Sequence, residues 1–167
     1  MNHLESMRVE FTAEAACTKK LLDRIPADKL TWKPHARSMS LGQLALHIAT
    51  VPGSIVRITK PDVFDASQNN FNPPGPASLD EVHAAFNQGV RDVDNLLRET
   101  TDEIAHAPWQ LMFGDRPMMS IPRIDAWRTL MLNHWYHHRG QLSVYLRLLD
   151  IPVPSIYGPS ADDQPFA

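Results

Sequence analysis

Thiols are nearly missing from this chain: Cys17 is its single cysteine, so no internal disulfide can form, and a reducing compartment is expected. Cys17 lies among helix formers, where a small buried thiol is common. Positive charge is also scarce. The net charge is -3 with the histidines neutral, and basic residues stand singly or in pairs such as Lys19-Lys20. No basic stripe is offered to a phosphate backbone, which argues against nucleic acid as a partner. Long apolar runs are lacking too: none approaches the roughly 20 residues that span a bilayer. The start "MNHLESMRVEF" is charged where a secretory signal needs an apolar stretch. A cytoplasmic protein with no membrane partner is expected. The chain contains no internal repeat and no low-complexity tract.

What is present is ordinary globular composition, 43% hydrophobic and 21% charged over 167 residues, enough for one domain, 1–167, with its own core. Leu4, Met7, Phe11, Cys17, Leu21, Leu22 and Ile25 recur at helical spacing until Pro26, predicting a first helix from about Asn2 to Arg24. Ser40 and Gln43 are spaced as a capping box and open a second helix near Leu41. Its stripe Leu41, Leu44, Ile48, Val51 and Ile55 faces a bundle, although Pro52-Gly53 should kink or break it. The proline-rich and asparagine-rich stretch "PDVFDASQNNFNPPGPA" reads as loop. Ser78 and Glu81 then form a second capping box, and the third helix carries Leu79, Val82, Phe86, Val90, Val93 and Leu97 to about Glu103. "HAPWQLMFGDRPMMSIP" is an excursion with a tight Gly114-Asp115 turn and room for a short hairpin. From about Pro122 a fourth helix repeats Trp127, Met131, His134, His138, Gln141, Tyr145 and Leu148 and ends near Ile151-Pro152. The tail "YGPSADDQPFA" reads as loop or frayed end. Four long helices without a clear run of strands predict an all-α four-helix bundle with long connections.

The fourth helix holds three of eight histidines in "LNHWYHHRGQL". His134 and His138, four apart, lie about 40° apart in azimuth and about 6 Å apart along the axis, so one cation can meet both. His137 falls on the flank beside Leu130 and Val144. Imidazoles in an apolar seam cost free energy unless their nitrogens find partners. A metal ion meets that need, as does a hydrogen bond to a carbonyl or side chain, and a lone H-x-x-x-H does not decide between them. His47, beside the core stripe of the second helix, supplies a possible third imidazole. Three histidines with open positions describe a reactive divalent-metal site rather than a closed structural one. Trp135 stands where H-E-x-x-H would need its glutamate, so that protease motif is excluded. His3, His35, His83 and His106 read as solvated or locally bonded. Trp109, Phe113, Trp127, Trp135 and Tyr136 suit a core better than a pocket. Gln141 is a cofactor-binding candidate whose amide can orient a ligand, or else a packed, self-satisfied amide. Arg139 is expected in an ion pair near the helix surface.

"LDRIPADKLTWKPHARSMSLGQLALHIAT" together with "LNHWYHHRGQLSVYLRLLDIPVPSIYGPSADD" resembles the DinB-like (DinB/YfiT-like) superfamily of metal-binding four-helix bundles, over nearly the whole chain. Carried over by position, the family's ligand triad falls on His47, His134 and His138. The resemblance implies a divalent metal, zinc or nickel foremost, and a homodimer. Some relatives are transferases or isomerases that use a low-molecular-weight thiol, and others have been proposed as hydrolases. The expected function is metal-dependent activation of a thiol or water for S-transfer to, or hydrolysis of, a small electrophilic substrate. The alternative is a non-enzymatic metal-binding or stress-response bundle stapled by its cation.

Overall fold

The computed structural model describes residues 3–164, leaving Asn2 at the start of the expected first helix and the last three residues of the tail outside the described part. Helix α1 spans His3–Leu22, and α2 spans Leu41–Ile58. The short strand β1, Val63–Asp65, precedes α3, Leu79–Glu99, and the one-turn α4, Asp102–His106. Strands β2, Pro108–Phe113, and β3, Arg116–Pro122, form a hairpin. A last helix begins as α5, Arg123–Ala126, continues through a π-helical stretch, Trp127–Asn133, and ends as α6, His134–Leu148. Counting that last run as one, the described residues form five helices and one three-stranded sheet ordered β1-β2-β3. The all-α expectation is thereby corrected to a mostly helical fold with a small sheet.

The sheet escaped the sequence reading because β1 has three residues and pairs in parallel with β2 across more than forty residues of chain. Such a strand leaves no alternation to count. The hairpin was legible: Phe113 pairs with Arg116 around Gly114-Asp115. Gly114 takes φ +59, a conformation glycine adopts without strain.

Each long helix buries one stripe in a common core. The α2 capping box forms in both directions: the Ser40 hydroxyl accepts from the Gln43 amide, and the Gln43 side chain accepts from the Ser40 amide. The second box forms only in half, since Glu81 accepts from Ala77 rather than Ser78. Helix α3 ends at Glu99, short of the expected Glu103, and Thr101 caps the separate α4. In α1, Ala15 and Thr18 fill the core where Cys17 was expected, and Cys17 is only part-buried.

Helix α2 continues through Pro52, so of the expected kink or break, the break does not occur. Proline lacks the amide hydrogen that would bond the Ile48 carbonyl one turn earlier. The indole N–H of buried Trp135 donates to that carbonyl at 2.8 Å instead. Helix α3 presses close at the same place. A Cβ on Gly89 would sit 3.3 Å from the Ala49 carbonyl oxygen and from the Gly53 amide nitrogen, so neither helix tolerates a larger residue there without shifting. By length and composition alone α2 would be long and apolar enough to cross a membrane, contrary to the expectation that no segment comes near. Its apolar residues, from Leu41 to Ile55, are those buried against the neighbouring helices.

The π-helical stretch changes which face of the last helix is buried. It holds more than 3.6 residues per turn, so it shifts the register entering α6. Trp135, Arg139, Leu142, Tyr145 and Leu146 become the buried stripe, and Leu148 is exposed. At 100° per residue, His134, His138 and Gln141 fall along one edge of that stripe instead of at its centre. The tail has no regular structure, as expected, but it is tied down rather than frayed. Asp162 pairs with Arg147 and accepts from the Val153 amide at 2.9 Å, and Asp163 accepts from the Ser155 amide at 2.9 Å.

Candidate metal centre

The edge of α6 that carries His134 and His138 faces the edge of α2 that carries His47. All three side chains are half-buried. Their ring centroids lie 5.1 Å (His47 to His134), 4.4 Å (His47 to His138) and 4.5 Å (His134 to His138) apart. One nitrogen from each can be chosen so that all three lie within 4.8 Å of one another, and this group can hold a metal ion. Nε2 of His47 and Nε2 of His134 are 2.9 Å apart. Without a cation, one of them must carry the proton it shares with the other. With Zn–N bonds of about 2.0–2.1 Å, imidazoles around one zinc ion hold their nitrogens about 3–3.5 Å apart by geometry, so small ring rotations close the set.

Electrostatics favours the neutral, ligating form. Burial, aided by the neighbouring His138 and His134, lowers the pKa of His47 to about 4. Burial is also the leading cause of the downward shifts of His134 and His138. In the tautomer that serves a cation, His138 donates its Nδ1–H to Gln141 Oε1 at 2.9 Å, leaving the Nε2 lone pair free. Gln141 thus sits on the far side of a candidate ligand, where it sets a ring's tautomer and orientation.

The other histidines stay apart from this cluster. His137 is exposed on the outer face of α6, although its ring stands 4.8 Å from that of His138. His106 bonds the Asp102 carbonyl oxygen, His35 accepts from the Arg37 amide, and His83 lies 3.9 Å from Asp23. Trp109, Trp127 and Trp135 are core, and each indole N–H is bonded: to the Ile58 carbonyl, the Thr59 hydroxyl and the Ile48 carbonyl, respectively. Tyr136 donates to Glu10 at 2.7 Å, and burial together with that carboxylate raises its pKa. Arg139 corrects the expectation of a surface ion pair. It is 2% exposed and pairs with Glu14 of α1 at 2.5 Å.

Sequence reasoning missed the space beside the cluster. A cavity of about 590 Å³ opens against His47 and His134, walled by α2 on one side and by the sheet and the β1–α3 connection on the other. Of Trp109, Phe113, Trp127, Trp135 and Tyr136, Phe113 alone lines it, and Phe64 and Phe71 line it as well. Part of this wall comes from the sheet, through Phe64, Leu111, Met112, Phe113 and Met118, which the periodicity did not reveal.

The sequence profile described as the DinB family matches residues 1–165. The uncharacterized protein YrdA of Bacillus subtilis (strain 168) is 29% identical over 156 residues, 92% of this chain and 86% of its own length. A DinB-like protein of Bacillus cereus ATCC 10987 superposes with a TM-score of 0.70 at 28% identity, over 89% of this chain and 93% of that one. A DinB-like protein of Bacillus subtilis (YjoA) gives a TM-score of 0.67 at 19% identity, over 98% and 100% of the two chains. A putative DinB family member from Exiguobacterium sibiricum 255-15 gives 0.66 at 18%, over 97% and 98%.

Proposed function

The chain belongs to the DinB family, and on that premise we propose that it is a metal-dependent enzyme whose His47, His134 and His138 hold one divalent cation, zinc or nickel. A divalent cation supplies a Lewis acid that lowers the pKa of water or of a low-molecular-weight thiol to near neutrality. The chain's own residues provide the setting. Burial favours the unprotonated form of the three imidazoles, the Gln141 amide orients His138, and the cavity beside His47 and His134 offers room for a small substrate. The reaction is S-transfer to, or hydrolysis of, a small electrophile.

One observation carries this reading: the three imidazoles converge, and two of them, His47 and His134, line the wall of a cavity. A cation that served only to staple α2 to α6 would need no such space. The test is metal analysis of protein purified without a histidine tag, followed by panels of thiol-plus-electrophile pairs and of esters and amides on the metal-loaded form. One cation per chain with turnover in either panel is expected. Stoichiometric metal with no turnover across both panels would favour the non-enzymatic staple.

A further inference from the structure

The inference concerns what occupies that cavity, and it rests on the reading that the cavity takes the substrate. Helix α2 carries His47, Thr50, Ser54 and Arg57 at steps of three, four and three, which 100° per residue gathers into a sector of about 80°. All four line the cavity, so one polar track runs along its wall from the imidazoles to a guanidinium. The ten residues from His47 to Arg57 rise about 15 Å. Much of the remaining wall is apolar, with Phe64, Leu111, Phe113 and Met118 contributed from the sheet side.

The charge along this wall is one-sided. Arg57 is the only lysine or arginine that lines the cavity, and no aspartate or glutamate lines it. Among the described residues Arg57 has no carboxylate partner, as is also true of Arg24, Arg37, Arg91 and Arg116, but of these only Arg57 lines the cavity. Midway along the track, the half-buried Ser54 hydroxyl has no hydrogen-bond partner among the described residues, and the Thr50 hydroxyl, which donates to the Leu46 carbonyl at 2.8 Å, can still accept. At the track's exposed end, the Arg57 guanidinium presents a fork of donors that fits a carboxylate in two parallel hydrogen bonds.

We propose that the cavity binds an elongated, largely apolar carboxylate, its acidic group held by Arg57 and its other end lying at His47 and His134. The substrate class is therefore an apolar electrophile that carries a carboxylate roughly one cavity length from its reacting centre. Arg57 selects for the acid and fixes which end of the molecule reaches the histidines.

Titration calorimetry on the metal-free full-length protein tests this, because removing the cation prevents a carboxylate from binding there directly. The probes are decanoate, decan-1-ol and decyltrimethylammonium. Decanoate is expected to bind most tightly and the cation not at all, and Arg57→Gln should weaken decanoate about tenfold while leaving decan-1-ol unchanged. Equal binding of decanoate by Arg57→Gln, or equal binding of the ammonium probe, overturns the proposal. Metal content separates the two readings. If Arg57 has no effect but the protein holds one cation and turns over a neutral electrophile, only the acidic end is wrong. If Arg57-dependent decanoate binding persists in a protein that takes up no cation, the carboxylate site stands and the metal-enzyme reading falls.

Discussion

Two polar clusters lie on opposite edges of α6, one residue apart in sequence, and they are built to different ends. Toward α1, Arg139 is enclosed and fully engaged: it pairs with Glu14 at 2.5 Å, donates to the Glu14 carbonyl at 3.2 Å and the Thr18 hydroxyl at 3.3 Å, and contacts the Tyr157 hydroxyl. Its guanidinium also lies over the rings of Tyr136 and Tyr157, at 5.3 and 5.0 Å. Toward α2, His134 and His138 meet His47 half-buried, with ring nitrogens turned toward one another and a cavity alongside. Both edges place polar groups where burial penalises them. The first compensates with an ion pair and hydrogen bonds to a neighbouring helix, whereas the second gathers three neutral imidazoles that could hold a metal ion.

The sharpest way to break the comparison is to remove a ligand. His47→Ala, His134→Ala and His138→Ala should each reduce metal from one per chain to near zero, read by elemental analysis after gel filtration, whereas Arg139→Ala should keep it when measured well below its melting temperature. If the three single variants retain full metal, the cation sits elsewhere and the contrast between the two edges collapses.

Arg139→Ala should in turn cost stability, about 3–5 kcal/mol, because it strands the Glu14 carboxylate in a site that was 12% exposed. Denaturant unfolding of the metal-free protein reads this directly. Replacing both partners with apolar residues, Arg139→Met with Glu14→Leu, should recover much of the loss, since no charge is then left buried and unpaired. A double variant as unstable as the single one would mean that the packing around Tyr136 and Tyr157, not the charge, holds α1 to α6.

How much of this contrast the sequence disclosed depends on the residue. His134 and His138 were legible because i and i+4 share a face wherever that face points, and His47 because it lies beside the core stripe of α2. Arg139 was not. The traced seam ran through His134, His138 and Gln141, and the π-helical stretch before α6 turns the buried stripe onto Trp135, Arg139 and Leu142. Wide turns leave no mark in apolar spacing. Pro52 misled for a related reason, because the group that rescues the Ile48 carbonyl is the indole of Trp135, more than eighty residues away. The cavity was hidden behind β1, whose three residues gain strand character only by pairing with β2. The Ser40–Gln43 capping box and the Gly114-Asp115 turn were read correctly and the Ser78–Glu81 box only in half, whereas the Pro52 rescue and the β1–β2 pairing depend on distant partners that leave no local mark.

Gln141→Ala sharpens the histidine edge. It removes the amide that accepts from His138 Nδ1 and frees the ring to rotate or change tautomer. Partners of this kind typically contribute 10–100-fold to metal affinity, so a loss of about that size is expected in a chelator competition, with stoichiometry kept at saturating metal. An unchanged affinity would make Gln141 a packed amide and nothing more.

Acid should act on the same edge. In the metal-free protein the folded state resists protonation of His47 until about pH 4, whereas the unfolded chain takes up that proton near 6.5. The unfolded state therefore binds protons first, and this contribution to stability, complete above about pH 6.5, is lost as the pH falls toward 4. His134 and His138 shift in the same direction and add to the slope. Bound metal should be released only as the pH falls toward these lowered folded-state values, since protons compete for the ligating lone pairs and the folded chain resists taking them up. Metal affinity that stays flat from about pH 7.5 to below about 4 would exclude a ligand set made only of histidines.

The smallest effect should come from His137, the flank histidine that competes most nearly with the chosen ligands in the sequence. His137 adjoins His138, and its ring lies 4.8 Å away, yet it projects about 100° around the helix from its neighbour. Its side chain is exposed on the outer face, away from α2, and turning it toward His47 would require α6 to rotate and withdraw Trp135 from the Ile48 carbonyl. His137→Ala should therefore retain one cation per chain and an unchanged melting temperature. The one measurable consequence should be on acid release. His137 helps lower the pKa of both His134 and His138, so without it their protonation, and metal loss with it, should move slightly toward higher pH. Loss of metal in His137→Ala together with its retention in His138→Ala would assign the pair to His134 and His137, three apart, and would require a different rotation of α6 about its axis.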